Sequence, residues 1–163
     1  MLRTRFNDGP ARDAIRRAIA AMKDPSLLYS RIGEYLVENR KERFIKGVGP
    51  DGTAWAPKSE ATLERYRRMG YGELTRPLIA SGTLSRQIKK FVSRDGVVVG
   101  SALVYSGVMQ DGAAKGAFGT DRRGHPLPWG DIPARPWIDL AAEEGRMIIE
   151  IADEYLESAL KSR

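Results

Sequence analysis

The 163-residue chain has no cysteine and a single histidine, His125. The first absence removes disulfides, thiolate nucleophiles and Cys-ligated zinc or iron–sulfur sites. The second removes His-rich metal sites and forces any histidine-dependent acid-base chemistry through one side chain. Long apolar runs are also missing; the longest are a few residues, such as Val97-Val98-Val99, too short to span a bilayer. The start, Met1-Leu2-Arg3-Thr4-Arg5-Phe6, has no apolar run behind its arginines, which argues against a secretory leader. No internal repeat or block of five bases occurs, and the 8% aromatics are not interleaved with basic residues as a base-stacking platform requires.

What remains is one domain over residues 1–163, long enough to bury roughly two-thirds of its unfolded surface without a staple. Its charge is uneven. Lys and Arg number 27 against 21 Asp and Glu, a formal +6, yet from Asp139 onward seven acids face three bases. The last 25 residues therefore carry −4 and residues 1–138 carry 24 bases against 14 acids, or +10. Such asymmetry fits nucleic acid at the basic part, identical subunits meeting basic face to acidic face, or plain solubility.

Fourteen of the 17 glycines lie between Gly47 and Gly130, so a helical start and a helical end enclose a turn-rich middle. Ala14, Ile15, Ala18, Ile19 and Met22 predict a helix over residues 10–23, capped by Asp8 and stopped by Pro25. A second helix over 26–46 carries Leu28, Ile32, Tyr35 and Leu36 on one face and Val37 and Phe44 on another. Ser59 caps a third, to Met69, with Leu63 and Tyr66 inward. Residues 78–90 read as helical around Leu84 and Ile88. Strands at 91–94 and 97–100 flank Asp95-Gly96, a link that predicts a hairpin with a type I′ turn. A short helix over 104–110 leads into a long glycine-rich loop, 111–131, expected to be mobile until Phe118, Leu127 and Trp129 find a neighbour. In the last helix, with Asp139 as cap, Leu140, Met147, Ile151 and Tyr155 form one apolar line. Ile149, Leu156 and Leu160 form a second, and Glu143, Glu150, Asp153, Glu154 and Glu157 fill an arc between them. The fold class is α+β: the first, second and last helices pack on a small antiparallel sheet.

Catalysis finds little support. His125 has Asp121 and Asp131 nearby in sequence but no Gly-x-Ser-x-Gly elbow anywhere. Gly47-Val48-Gly49-Pro50-Asp51-Gly52 lacks the Lys-Ser/Thr ending of a phosphate loop and follows a helix, so it reads as two tight turns. Two loop segments stand out instead. Trp55, on a stretch that cannot be regular structure, is an anchor or a contact. In Ile132-Pro133-Ala134-Arg135-Pro136-Trp137, prolines fix an extended path and Arg135 projects as a fork for a carboxylate or for backbone carbonyls, or else the segment is a stiff lead-in to the last helix.

In order, these segments resemble the phage virion morphogenesis family, the Mu-like tail completion proteins, over residues 28–160. The resemblance rests on Phe44 followed by Gly49-Pro50-Asp51-Gly52-Thr53-Ala54-Trp55-Ala56-Pro57, then Leu78-Ile79-Ala80-Ser81-Gly82-Thr83-Leu84, then Val99-Gly100-Ser101 with Tyr105. Gln110-Asp111-Gly112 and Ile132-Pro133-Ala134-Arg135-Pro136-Trp137-Ile138 complete it. Met109 stands where the family usually has a histidine, Asp111 where it has an aromatic, and Asp139 where it often has a glycine. The resemblance implies a structural component of the virion, assembled in the host cytoplasm at tail completion or head-tail joining in the neck, with no catalytic activity, cofactor, small-molecule substrate or membrane. It implies other tail, neck or head proteins as partners and a homo-oligomer, in particular a hexameric ring that touches DNA only as channel lining. Gly52, Trp55, Gly82, Leu84, Tyr105, Gly112, Pro133, Arg135 and Pro136 are the structural anchors to expect. Phe118, Trp129, Ile149, Leu156 and Leu160 are the expected interface. The alternative is a basic nucleic-acid-binding module.

Overall fold

A computed structural model of the chain describes residues 8–72 and 74–161. The start, Met1 to Phe6, lies outside them. Among the described residues the order is α1 (Gly9–Lys23), α2 (Ser26–Lys46), α3 (Glu60–Arg68), α4 (Thr83–Arg86), β1 (Lys89–Val92), β2 (Val97–Gly100), α5 (Ser106–Asp111) and α6 (Ala142–Lys161). The fold is α+β, with helices at both ends and an antiparallel two-stranded sheet between them.

The 21 residues of α2 form the spine because both of its apolar faces are used. Leu28 and Ile32, near its start, pack with Tyr155 of α6, while Phe44, near its end, packs with Trp55, Leu84, Ile88 and Trp137. Gly33 lets the hairpin lie close across the helix: a Cβ there would sit 2.8 Å from Val97 Cγ2 and 2.9 Å from Lys90 Cδ. Lys90 fastens the crossing by donating from Nζ to Ser30 O at 3.0 Å and to Glu34 Oε1 at 2.6 Å. Gly47, left-handed at φ 72°, ends the helix and donates to Arg43 O at 2.7 Å.

Several expectations are corrected. Helix over 78–90 shrinks to the single turn of α4, because Leu78 (φ 58°) and Gly82 (φ 71°) both take left-handed backbone and Lys89 and Lys90 belong to β1. Strand pairing runs from Lys89↔Gly100 to Val92↔Val97, so the link is four residues, 93–96. Arg94 and Asp95 occupy its centre without positive φ, which excludes the type I′ geometry. Ser93 closes the turn by donating its N–H to Gly96 O at 2.9 Å. Asp8 makes no capping bond to α1 and pairs instead with Arg12 at 2.7 Å. Asp139 does not cap the last helix, which begins at Ala142 and leaves Leu140 outside it, 54% exposed. Glu144 reaches back to accept from Ala141 N–H at 2.8 Å, the acidic half of a capping box.

α1 does not pack on the sheet either. It runs antiparallel along α6: Tyr155 Oη donates to Ala21 O at 3.2 Å, and Arg17 donates to Ala159 O at 3.3 Å and Leu160 O at 3.0 Å. Arg17 thereby satisfies carbonyls at the last turn of α6, where a cation is favoured. The inner seam of α1 is Ala14, Arg17, Ala18 and Ala21, all half-buried, whereas Ile15, Ile19 and Met22 are 56%, 52% and 56% exposed.

The loop over 111–131 is folded back on itself. Ala113 and Ile132 exchange both of their backbone hydrogen bonds, Phe118 N–H donates to Leu127 O at 2.7 Å, and Leu127 N–H donates to Gly119 O at 2.7 Å. Phe118 (58%) and Trp129 (71%) nonetheless stay exposed.

Candidate functional site

The segment Ile132 to Ile138 crosses the structure as an extended strap, and three sets of side chains grip its backbone. Gln110, at the end of α5, accepts the N–H groups of Trp137 (2.8 Å) and Ile138 (3.1 Å) on Oε1 and donates from Nε2 to Asp139 Oδ2 at 2.8 Å. Gly112 follows at φ 75°, and a Cβ there would meet Ile132 O at 2.6 Å and Ala134 N at 2.7 Å, so only glycine permits this approach.

From the other side come Arg40 and Arg43 of α2, three residues apart on one helical face and both buried. Arg40 donates to Ile138 O through Nε and Nη2, at 3.2 and 2.9 Å. Arg43 donates from Nη1 to Trp137 O at 3.1 Å and to Asp139 O at 2.6 Å. Both pair with Glu144 Oε1, at 2.7 and 2.8 Å. Burial first, and the charge of Arg40 second, push the Arg43 guanidinium below its ordinary value, against the pull of Glu144. One carboxylate for two cations leaves a net positive charge, compensated by the strap's carbonyls.

The third set joins the strap to the turn before α3. Trp55, 6% exposed, donates from Nε1 to Pro136 O at 2.9 Å and meets Phe44 edge-on at 5.3 Å between centroids. Arg135, 7% exposed, donates from Nε to Ala56 O at 2.8 Å and from Nη2 to Pro57 O at 2.9 Å. Of the two uses foreseen for its fork, the backbone carbonyls are the ones it meets. Asp51 closes the turn by accepting from Thr53 N–H at 3.0 Å and Thr53 Oγ1 at 2.7 Å, which holds its carboxyl below the usual range.

Beside this knot opens a cleft of about 520 Å³ lined by Tyr66, Leu84, Tyr105, Met109, Pro133 and Arg135, with Gly82 at its rim. Lys58 lies in its wall, donating to Leu74 O and Ile79 O and sitting 4.8 Å from the Tyr66 ring centroid. Burial, then the charge of Arg135, lowers the pKa of that ammonium. The cations already spend donors on backbone carbonyls.

The sequence-predicted anchors thus fall together around the strap and the cleft, with Gly52 at the outer bend of the Trp55 turn at φ 80°. Arg40, Arg43 and Glu144 were not singled out by sequence; the only signal was a pair of arginines beside Phe44 on a face otherwise apolar. The interface candidates are scattered: Phe118 and Trp129 on the loop, Ile149 (63%) and Leu160 (43%) exposed on α6, and Leu156 half-buried against the Leu28–Ile32–Tyr155 cluster.

His125 sits at an exposed turn, its Nδ1 3.0 Å from Asp121 Oδ2 and its N–H donating to Asp121 Oδ1 at 2.9 Å. Among the described residues no group of three or more His, Cys, Asp or Glu is placed to hold a metal, and no helix is long and apolar enough to cross a membrane.

The model of the phage virion morphogenesis family aligns with residues 6–157. No curated protein and no solved structure matches the chain.

Proposed function

Since the chain belongs to the phage virion morphogenesis family, whose members build the phage particle, we propose that it acts at tail completion or head-tail joining in the neck, as a ring-forming subunit. The observation that carries this reading is the use made of the motif residues. Gln110, Gly112, Arg135, Trp137 and Trp55 all spend their polar groups or their shape on backbone segments, so they hold a scaffold rigid rather than face a substrate.

The scaffold presents the loop over 111–131 with its exposed Phe118 and Trp129 to other phage proteins or to the next subunit. Glu143 and Glu154 on the outer arc of α6, against the basic remainder of the chain, supply opposite charges for contact between neighbouring subunits of the ring. In a ring around the channel, that basic remainder would also line DNA without reading its sequence.

Gold-labelled antibody on purified virions tests the placement. Label at the head-proximal end of the tail, in a copy number set by the ring, six if hexameric, is expected. Label distributed along the tail, or absent from both virions and assembly intermediates, would remove the reading.

A further inference from the structure

α1 carries two separate surfaces. Its small seam, Ala14, Arg17, Ala18 and Ala21, contacts α6, and no residue of the helix is buried. Its larger side chains, Ile15, Ile19 and Met22, point away from the body and line, with Ala18 and Lys23 of the same helix and Leu160 of α6, a shallow groove of about 390 Å³. Three large apolar groups on an amphipathic stripe, continuous with a fourth on the adjoining helix, make a surface that water covers poorly.

Charge is ordered across this surface. On α1, beyond the stripe and on the side away from α6, stand Arg12, Arg16 and Lys23. On α6, beyond Leu160 and away from α1, stand Asp153 and Glu157, with Glu150 further round. The band therefore runs basic, apolar, acidic. Among the described residues Arg12 and Arg16 pair only with exposed local carboxylates, Asp8 and Asp13, and Glu157 only with Lys161. Among the described residues Lys23 and Asp153 make no ion pair.

We infer that a second copy of this chain covers the band, related by a two-fold axis parallel to α1 and α6. That operation lays each apolar stripe on the other copy's groove and each basic edge over the partner's acidic edge. The perpendicular in-plane axis would set like charges together. Because α1 and α6 are antiparallel, with the Arg17 guanidinium reaching Leu160 O and the Tyr155 hydroxyl reaching Ala21 O, Lys23 lies within about a turn of Asp153 and Arg16 within about a turn of Glu157. The outcome is a four-helix layer in which α1 of each copy meets α6 of the other. This contact is isologous, so it is separate from the head-to-tail contact that closes a ring and does not depend on where in the virion the protein acts.

The absence of cysteine makes the test clean. Lys23→Cys and Asp153→Cys are made as separate variants, mixed in equal amounts and oxidised. A disulfide-linked species of twice the chain mass is expected from the mixture and not from either variant alone. In parallel, sedimentation equilibrium of the unmodified chain should give the doubled mass, and Ile19→Glu should return it to the monomer with an unchanged circular-dichroism spectrum, since that side chain touches no core; its melting temperature should fall only to that of the parent diluted until it dissociates. A monomer at the highest soluble concentration overturns the inference. So do cross-linking that is equal in mixed and separate samples, and an Ile19→Glu variant that keeps the doubled mass.

Discussion

Glu144 concentrates the electrostatics of the molecule in one side chain: Oε1 takes both buried arginines, and Oε2 takes the N–H that opens α6. Replacing it with Gln leaves two buried cations facing carbonyls alone, which should cost about 3–5 kcal/mol. Chemical denaturation would read the loss, and a change within ~1 kcal/mol would mean that the carbonyls of 137–139 suffice. Trp55→Ala should likewise cost about 3–5 kcal/mol, as it opens a cavity beside Phe44 and orphans Pro136 O. An unchanged melting temperature would contradict its role as an anchor. These two residues differ in how visible they are before folding. Trp55 was legible because a large ring on a glycine- and proline-rich stretch has few reasons to be there. Glu144, Arg40 and Arg43 were not, because a charge on a helix ordinarily belongs to a solvated face, and only the strap crossing above them makes it otherwise.

At the scale of elements, periodicity located α2 to its ends, Ser26–Lys46, and Ser59 does accept from Thr62 N–H as the cap of α3. Local signals failed where a side chain was claimed from afar. Asp139 has the chemistry of a cap, but its carboxylate is taken by Gln110, 29 positions away. Asp95-Gly96 named the hairpin yet not its turn, because Val92↔Val97 pairing places Arg94 and Asp95, not the glycine, at the centre. The two apolar lines of α6 now separate. Leu156 packs on the Leu28–Ile32–Tyr155 cluster, so Leu156→Glu should destabilise by at least ~2 kcal/mol. Ile149→Glu, at an exposed position, should stay within about 0.5 kcal/mol of the parent. Equal effects in thermal unfolding would contradict that division. For the loop over 111–131, its internal ladder replaces the irregular path expected, while Phe118 and Trp129 stay exposed. Amide exchange at Phe118 and Leu127 should slow at least tenfold in assembled particles relative to the free chain, and identical rates would deny the loop an assembly role.

At the scale of the whole molecule, segments separated by up to about 90 positions, from Phe44 to Ile138, are brought to one knot, and their order along the chain was enough to indicate the family. What no local pattern reported is which surfaces remain uncovered. The outward stripe of α1 has the spacing of a core helix, and only the packing of its alanine seam on α6 reveals that Ile15, Ile19 and Met22 face solvent. A chain that ties its motif residues to its own backbone and leaves apolar side chains outside is built to be completed by other proteins, which is the claim to test. The direct measurement is infectious titre in a lysate from a phage whose copy of this gene is disrupted, with and without added purified protein. Titre should fall by orders of magnitude, with heads and tails accumulating unjoined under the electron microscope, and the purified chain should restore it on mixing. Normal joined particles in the disrupted lysate would contradict the account.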